Sequence, residues 1–415
     1  MTYRETKKTR IMLALTVTLA IALRVGYGLV WIPLRDTGHL ELPTRLEAGG
    51  DPYAAIARNI IAGEGYVVKP GDPPDLSRAP LYPAFLVMIY SLVGVQRDWI
   101  VVIAQSFIEG LTCLLVYGIA KKVLANTRVA LVSALIYALY LGSIRLPSRL
   151  VTEPLYIFLT AVFIWYLVKL FDTLSLRKAL VTGILLGIMT LCRPITLLFP
   201  LFIIIGLLMR FWRDRKGVLR NICVSTFAML ITVSPWIVRD YIVSGRLIPI
   251  TTRVGVTFWG GTRFDYGRSL EFTSESVKSK ARDMMSQAGL GDSNSIQAED
   301  MFIGAALDNI REHPQQFVLG VVEKAFAFWY LDWARGITIR NLLHQVPLLL
   351  LGTVGLAFAY KARKNILPFL LLTAYLNLVY AAFHARFRYC LSVMPYVIIF
   401  AVYGALELAA RWKRT

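Results

Sequence analysis

The chain has 415 residues, of which 56% are hydrophobic and only 17% are charged, and its formal net charge is +19. A soluble protein of this length could not hide that much apolar surface in a core, so the composition predicts a membrane protein. In a soluble protein such a positive charge would suggest nucleic-acid binding. Here the excess of Lys and Arg lies between apolar runs, so no nucleic-acid partner is expected.

Ten apolar runs are candidates for crossing the roughly 30 Å of hydrocarbon in a bilayer. They are residues 11–31, 99–120, 129–144, 152–171, 179–192, 194–209, 221–238, 342–360, 366–384 and 389–410. If the ten spans alternate, six basic segments fall on one side, and together they hold 21 Lys and Arg but three acids. These segments are 1–10, 121–128, 169–178, 210–220, 361–364 and 411–414. The positive-inside rule makes that side the cytoplasm, where both termini are then expected.

Two further apolar stretches, 80–96 and 317–331, are short. If one or both crossed the membrane, some of the basic segments would move outside, so we predict helices that lie at the outer membrane surface. The predicted organisation is a cytoplasmic N-terminus with the first span, an outer loop, spans two to seven, a second outer loop, and spans eight to ten with a basic tail. The corresponding ranges are 1–34, 35–98, 99–238, 239–341 and 342–415.

The first outer loop contains the run GGDPYAAIARNIIAGEGY. Asp51 at the N-cap, Pro52 at the first helical position, and Gly63 or Gly65 after the end predict a short amphipathic helix. Tyr53 in this helix and Tyr82 in the following apolar stretch are predicted to line a pocket or to contact a substrate. The second outer loop is too long for a simple connector and includes a polar, helix-like stretch near 296–312.

Ionisable residues gather at the outer ends of the predicted spans, where a charge is unfavourable unless it is paired, hydrated or engaged in binding or catalysis. They are Lys69, Arg78, Arg145, Arg149, Glu153, Arg193, Arg386 and Arg388. Several guanidinium groups around few carboxylates suit an anionic head group, because Arg binds phosphate oxygens through two parallel donors. The pattern therefore predicts a phosphate-bearing lipid as ligand.

Each of these residues also has a structural interpretation. Asp51 can act only as a helix cap, Glu153 can simply neutralise Arg149 four residues earlier, and the arginines can be interfacial anchors. Arg24 and Glu109 lie deeper within spans, and we expect them to have a structural partner and no catalytic role. The four cysteines and four histidines show no metal-ligand spacing.

Six segments, in order along the chain, resemble the polyprenyl-phosphate-dependent transferases of the GT-C fold, a family that includes protein mannosyltransferases (glycosyltransferase family 39), lipid A aminoarabinose transferases and lipopolysaccharide galacturonosyltransferases. The segments are GGDPYAAIARNIIAGEGY, SRAPLYPAFLVMIYSLVG, RLVTEPLYIFLTAVF, LCRPITLLFPL, PWIVRDYIVSGRLIPITT and ARFRYCLSVMPYVIIFAVYG. The resemblance runs from about residue 10 to residue 410. It implies an all-α, GT-C-type bundle of about ten transmembrane helices with interfacial helices in two outer loops.

The resemblance also implies roles for individual residues. Asp51 matches the first-loop acid that serves as general base. Glu153 matches a second acid that is more usually Asp, and whether it orients the acceptor, helps bind a divalent cation or holds an arginine is open. Some relatives carry an acidic pair where this chain has Asp51 alone, so no tightly bound metal is implied and no cofactor is certain. Arg78, Arg193 and Arg386 match donor-phosphate contacts.

The sequence therefore predicts an inverting membrane glycosyltransferase that moves a hexosyl or pentosyl group from a polyprenyl-phosphate donor to a hydroxyl of a glycan, lipid or protein on the extracytoplasmic face. A sugar on polyprenyl phosphate already has a good leaving group, so one base and several cations suffice. A soluble cytoplasmic domain for nucleotide sugars is absent from the sequence. Two alternatives stay open: a transporter or flippase of a lipid-linked glycan, and a non-catalytic assembly subunit.

Overall fold

The computed structural model describes residues 6–37, 52–95, 97–262, 275–291, 295–332 and 335–413, and the regular elements in these ranges are all helical. The first half of the chain contains α1 (Lys7–Gly26), continued by a π-helical turn (Tyr27–Trp31), then α2 (Ile32–Thr37), α3 (Tyr53–Ile61), α4 (Leu81–Val93), α5 (Asp98–Leu124), α6 (Thr127–Leu139), α7 (Leu141–Ile144), α8 (Glu153–Asp172), α9 (Leu176–Cys192), α10 (Phe199–Arg210) and α11 (Arg215–Ser244). Short 3₁₀ turns follow α7 (Leu146–Ser148) and α9 (Pro194–Thr196).

The second half contains α12 (Val254–Gly261), α13 (Glu275–Gln287), α14 (Ile296–Glu312), α15 (Pro314–Ala327), α16 (Arg335–Lys361), α17 (Leu367–Ala382), α18 (Phe387–Cys390) and α19 (Met394–Trp412). Helices α4, α14 and α15 cover the stretches for which the sequence predicted helices outside the spans. The predicted helix in the first outer loop is also present, and Gly63 and Gly65 follow its end with φ of +86° and +83°. Its start differs from the prediction: Pro52 has ψ of +22°, so the helix begins at Tyr53.

The prediction of an all-α, multi-pass membrane protein is confirmed. Among the described residues, six helices are long and apolar enough to span a bilayer, and a seventh is formed if α6 and the segment Leu141–Ser148, bent by 51°, count as one span. The other three predicted spans coincide with shorter helices, which are α9, Pro194–Arg210 and α17. The count of ten spans therefore stays a prediction.

Capping residues define several helix ends. The Asn126 side chain accepts hydrogen bonds from the backbone N–H groups of Arg128 (3.0 Å) and Val129 (3.1 Å) at the start of α6. Asp214 accepts from the backbone N–H of Gly217 (2.9 Å) at the start of α11, which ends at Gly245 in the left-handed conformation. These contacts satisfy backbone groups that a helix end leaves without partners.

Two helix pairs pack with their backbones in close contact through glycine. A Cβ on Gly183 of α9 would lie 2.1 Å from the carbonyl oxygen of Ser225 in α11. A Cβ on Gly355 of α16 would lie 1.8 Å from that of Phe400 in α19. Small residues allow this kind of approach between helices in a membrane, where close packing replaces the hydrophobic effect as the driving force.

The bend between α6 and α7 is held by Arg24, whose side chain is fully buried. Its guanidinium donates to the carbonyl oxygens of Tyr137 (3.4 Å) and Ala138 (3.2 Å) and to the hydroxyl of Ser143 (2.7 Å). Glu109, also fully buried, pairs with Arg24 at 3.5 Å and accepts a hydrogen bond from the Tyr137 hydroxyl at 2.7 Å. The sequence analysis expected a structural partner for Arg24 and for Glu109, and the structure shows that they pair with each other.

Candidate functional site

A cavity of about 430 Å³ lies between the bent segment α6–α7 on one side and α16 with α18 on the other. Four arginines line it, Arg145, Arg149, Arg340 and Arg388, together with one acid, Asp332. The remaining wall is mostly apolar and is formed by Ile136, Leu139, Tyr140, Leu141, Gly142, Leu146, Ile337, Asn341, His344, Leu348, Phe387 and Leu391. The cavity therefore combines a cluster of guanidinium groups with an apolar surface.

Local structure brings these four arginines together from distant parts of the chain. Arg145 lies at the end of α7 and Arg149 at the end of the 3₁₀ turn that follows, so both depend on the bend that Arg24 holds. Arg340 lies near the start of α16, and Arg388 lies in α18. The backbone N–H of Phe387 donates to the carbonyl of Leu331 (2.8 Å), which ties α18 to the segment that carries Asp332.

Glu153, the first residue of α8, does not line this cavity and is 4% exposed, but it is close to Arg388, which does line it. Its Oε1 is 3.3 Å from Nη1 of Arg193 and 3.5 Å from Nε of Arg388. The interpretation that Glu153 neutralises Arg149 is therefore wrong, because its ion pairs are with two arginines far away in the sequence. Of the three roles left open for Glu153, this geometry favours holding an arginine.

The Arg193 guanidinium is enclosed by tyrosine rings. Its central carbon lies 5.0 Å from the ring centre of Tyr389, 5.4 Å from that of Tyr156 and 5.9 Å from that of Tyr380. Tyr380 and Tyr389 are stacked, with ring centres 4.3 Å apart. Arg193 does not line the cavity, although it shares Glu153 with an arginine that does.

The structure groups some of the predicted donor contacts and separates others. Arg145, Arg149 and Arg388 share the cavity, and Arg193 joins them through Glu153. Lys69 is exposed outside it. Two more predicted contacts do not line the cavity: Arg78, which donates to the Ser77 hydroxyl at 2.7 Å, and Arg386, which is buried beside α18.

Tyr53 and Tyr82 are in contact, with ring centres 5.2 Å apart in an edge-to-face arrangement. The Tyr82 hydroxyl donates to the side chain of Gln105 (2.9 Å), which in turn donates to the carbonyl oxygens of Pro147 (3.0 Å) and Arg149 (2.9 Å). These hydrogen bonds connect α4 to the cavity wall, and the ring contact adds α3. Asp51 lies outside the described residues, directly before Pro52, so its predicted role is untested.

The sequence analysis missed Arg340, because it assigned residues 239–341 to the second outer loop. Helix α16 begins earlier than the predicted span at residue 342, and its polar first turns form part of the cavity. Arg340 lies two residues before the predicted span, one helical turn from His344. That helical spacing was the available signal that the helix begins before residue 342.

No cluster that would hold a metal is found in the described ranges: nowhere in them do three or more His, Cys, Asp or Glu side chains come together. The partners of Glu153 are guanidinium groups, which leaves that carboxylate poorly suited to a cation. The four cysteines are free thiols, and Cys113, Cys192 and Cys390 are buried.

In the range predicted as the second outer loop, described residues of α12, α13 and α14 pack around Trp259 and Phe302, whose ring centres are 5.1 Å apart. Glu299 of α14 accepts a hydrogen bond from the backbone N–H of Gly255 (2.8 Å), and burial raises the pKa of Glu299 from 4.5 to about 7. Lys324 of α15 donates to the carbonyl of Gly261 (2.6 Å), and burial lowers the pKa of Lys324 to about 8. These contacts dock α12 onto its neighbours.

Comparison with known proteins gives a family-model match over part of the chain and low-identity similarity to solved structures. Residues 77–238 match the family model described as dolichyl-phosphate-mannose-protein mannosyltransferase. This match runs from the segment before α4 into α11 and includes Glu153 and Arg193, whereas Arg340 and Arg388 lie beyond it. No curated protein matches the chain.

Two crystal structures of ArnT from Cupriavidus metallidurans are similar to this chain at low identity. For the one bound to undecaprenyl phosphate, the identity is 12% and the TM-score 0.43, with 97% of this chain and 79% of that chain covered. For the apo state, the identity is 13% and the TM-score 0.42, with 95% and 77% covered.

Proposed function

We propose that this chain, whose residues 77–238 match the dolichyl-phosphate-mannose-protein mannosyltransferase model, transfers a sugar from a polyprenyl-phosphate donor to a hydroxyl acceptor on the extracytoplasmic side of the membrane. The observation that carries the proposal is the cavity, in which Arg145, Arg149, Arg340 and Arg388 meet an apolar wall. An isoprenoid phosphate has these two parts, an anionic head and an apolar chain.

The positive charge of the cavity matches the negative charge that builds up on the phosphate during the reaction. A sugar–phosphate diester carries one negative charge, and the lipid phosphate that leaves carries up to two. Four guanidinium groups against one carboxylate, that of Asp332, stabilise the charge that develops on the leaving phosphate oxygen. Transfer itself then needs a base for the incoming hydroxyl.

Asp51 is the proposed base. In a single displacement the acceptor oxygen bonds to C1 of the sugar from the face opposite the phosphate, the C1–O bond to phosphate breaks, and the electron pair leaves with the phosphate. The acceptor proton passes to Asp51. One displacement inverts the configuration at C1. Tyr53 and Tyr82 do not line the cavity themselves, but Tyr82 is connected to its wall through Gln105.

A transporter or flippase would need charged groups along a path through the membrane. The ionisable residues that lie deepest in the predicted spans, Arg24 and Glu109, pair with each other and close the bend after α6. Both are fully buried, so neither offers a ligand a binding surface. The cavity of arginines instead favours binding at one level of the membrane.

The test is sugar transfer in reconstituted vesicles. A radiolabelled sugar on polyprenyl phosphate is offered with a membrane-extract acceptor on one side only. We expect label in the acceptor when donor and acceptor are on the side opposite the basic loops, with orientation fixed by protease accessibility of the basic C-terminal tail. Movement of labelled donor across the bilayer without transfer would support the flippase, and neither transfer nor movement would support the assembly subunit.

A further inference from the structure

We infer that Glu153 and Arg193 form a positioning unit that orients Arg388 toward the cavity, and that Arg193 does not itself bind the donor phosphate. The inference rests on the proposed function and deepens it. It gives Glu153 the role of holding an arginine. Arg193 was a predicted donor-phosphate contact, and the inference replaces that role with an indirect one.

The guanidinium group of Arg193 is surrounded by other side chains of the protein. Three tyrosine rings lie within 5.9 Å of its guanidinium carbon, and Nη1 faces Glu153 at 3.3 Å. Its side chain is 15% exposed. Aromatic faces hold a guanidinium by cation–π attraction, which is strongest where water is excluded. Arg193 is thus a fixed positive charge behind the cavity wall.

Arg388 shares both kinds of partner with Arg193 but faces the cavity. Its Nε is 3.5 Å from the same Glu153 oxygen, and its guanidinium lies 5.1 Å from the Tyr389 ring, on which Arg193 also lies. Its Nη2 donates to the Tyr389 hydroxyl at 3.3 Å. Its side chain is 34% exposed, against 15% for Arg193.

The carboxylate of Glu153 and the ring of Tyr389 therefore hold two positive charges, Arg193 and Arg388, close together. Without the charge of Glu153 the two guanidinium groups would repel each other, and Arg388, the more exposed of the two, would move. A guanidinium binds phosphate in a fixed planar geometry, so its orientation determines how well it holds the donor. Loss of the Glu153 charge should therefore weaken donor binding and leave the chemical step largely intact.

The test compares donor KM and kcat for the wild type, Glu153→Gln, Arg388→Gln and the double variant. We expect Glu153→Gln to raise the donor KM roughly tenfold, about the effect of one charge-assisted contact, with kcat within about threefold of the wild type. The double variant should be no worse than Arg388→Gln alone, because residues that act through one another are not additive. Asp172→Asn is the matched control: it ends the same helix in an ion pair with Lys122 (2.9 Å) and should leave KM unchanged.

Tyr389→Phe provides a second variant that removes only the hydroxyl contact to Arg388, and a smaller rise in donor KM at constant kcat is expected. Thermal unfolding in detergent shows whether each variant is folded. A fall in kcat at constant donor KM in Glu153→Gln, or effects of Glu153→Gln and Arg388→Gln that multiply, would overturn the inference. Absence of transfer by the wild type would instead refute the proposed function.

Discussion

Replacement of Asp51 by asparagine is expected to lower kcat for sugar transfer at least about 100-fold, which is the lower end of what a general base contributes. Asparagine cannot accept the proton of the acceptor hydroxyl. Asparagine has nearly the same size and shape as aspartate, so α3 and the folding of the protein should be preserved. The measurement is steady-state transfer by purified protein, with thermal unfolding recorded in parallel.

This substitution also separates the two interpretations of Asp51. If Asp51 has only a structural role before α3, Asp51→Asn will transfer sugar at the wild-type rate, and the proposed base is wrong. Asp72→Asn is the matched control, since Asp72 is exposed in the same outer loop. We expect it to be fully active.

Replacement of Arg24 by methionine is expected to destabilise the protein by about 3–5 kcal/mol, the usual penalty for leaving the partner of a buried ion pair without compensation. It leaves the carboxylate of Glu109 inside the membrane without a cation. It also removes the donors that satisfy the carbonyl oxygens of Tyr137 and Ala138 at the bend. Because Arg145 and Arg149 follow that bend, donor binding should weaken as well.

Thermal unfolding in detergent measures this effect, and the double variant Arg24→Met/Glu109→Gln is the control. Removing both charges should recover part of the lost stability, since no buried charge is then left without a partner. If Arg24→Met unfolds at the wild-type temperature, the pair does not hold the bend.

Local patterns predicted the helices well because their causes are local. The glycines after α3 depend on residues close in the chain, and Gly63 and Gly65 follow the end of that helix as predicted. The outer position of charged residues at span ends also predicted that a cluster of arginines would form. Three predicted donor contacts, Arg145, Arg149 and Arg388, do share one cavity.

The pairing within the site could not be predicted, since it depends on how helices pack. Glu153 is four residues from Arg149, a spacing that favours an ion pair within one helix, yet α8 begins at Glu153 and Arg149 lies before it in extended backbone. The carboxylate instead reaches Arg193 and Arg388. Arg340 was missed for a related reason: the polar start of a long helix reads as loop when only its apolar part is considered.

The most direct test of the central claim is whether the arginine cavity binds a lipid phosphate. Binding of polyprenyl phosphate and of the uncharged polyprenol to the purified protein is compared by native mass spectrometry, for the wild type and Arg340→Gln. Arg246→Gln is the control, because Arg246 forms an exposed ion pair with Asp300 and does not line the cavity. We predict that the wild type and Arg246→Gln bind the phosphate at least about tenfold more tightly than the alcohol, and that Arg340→Gln loses most of this preference. Equal binding of phosphate and alcohol by the wild type, or an unchanged preference in Arg340→Gln, would contradict the proposal.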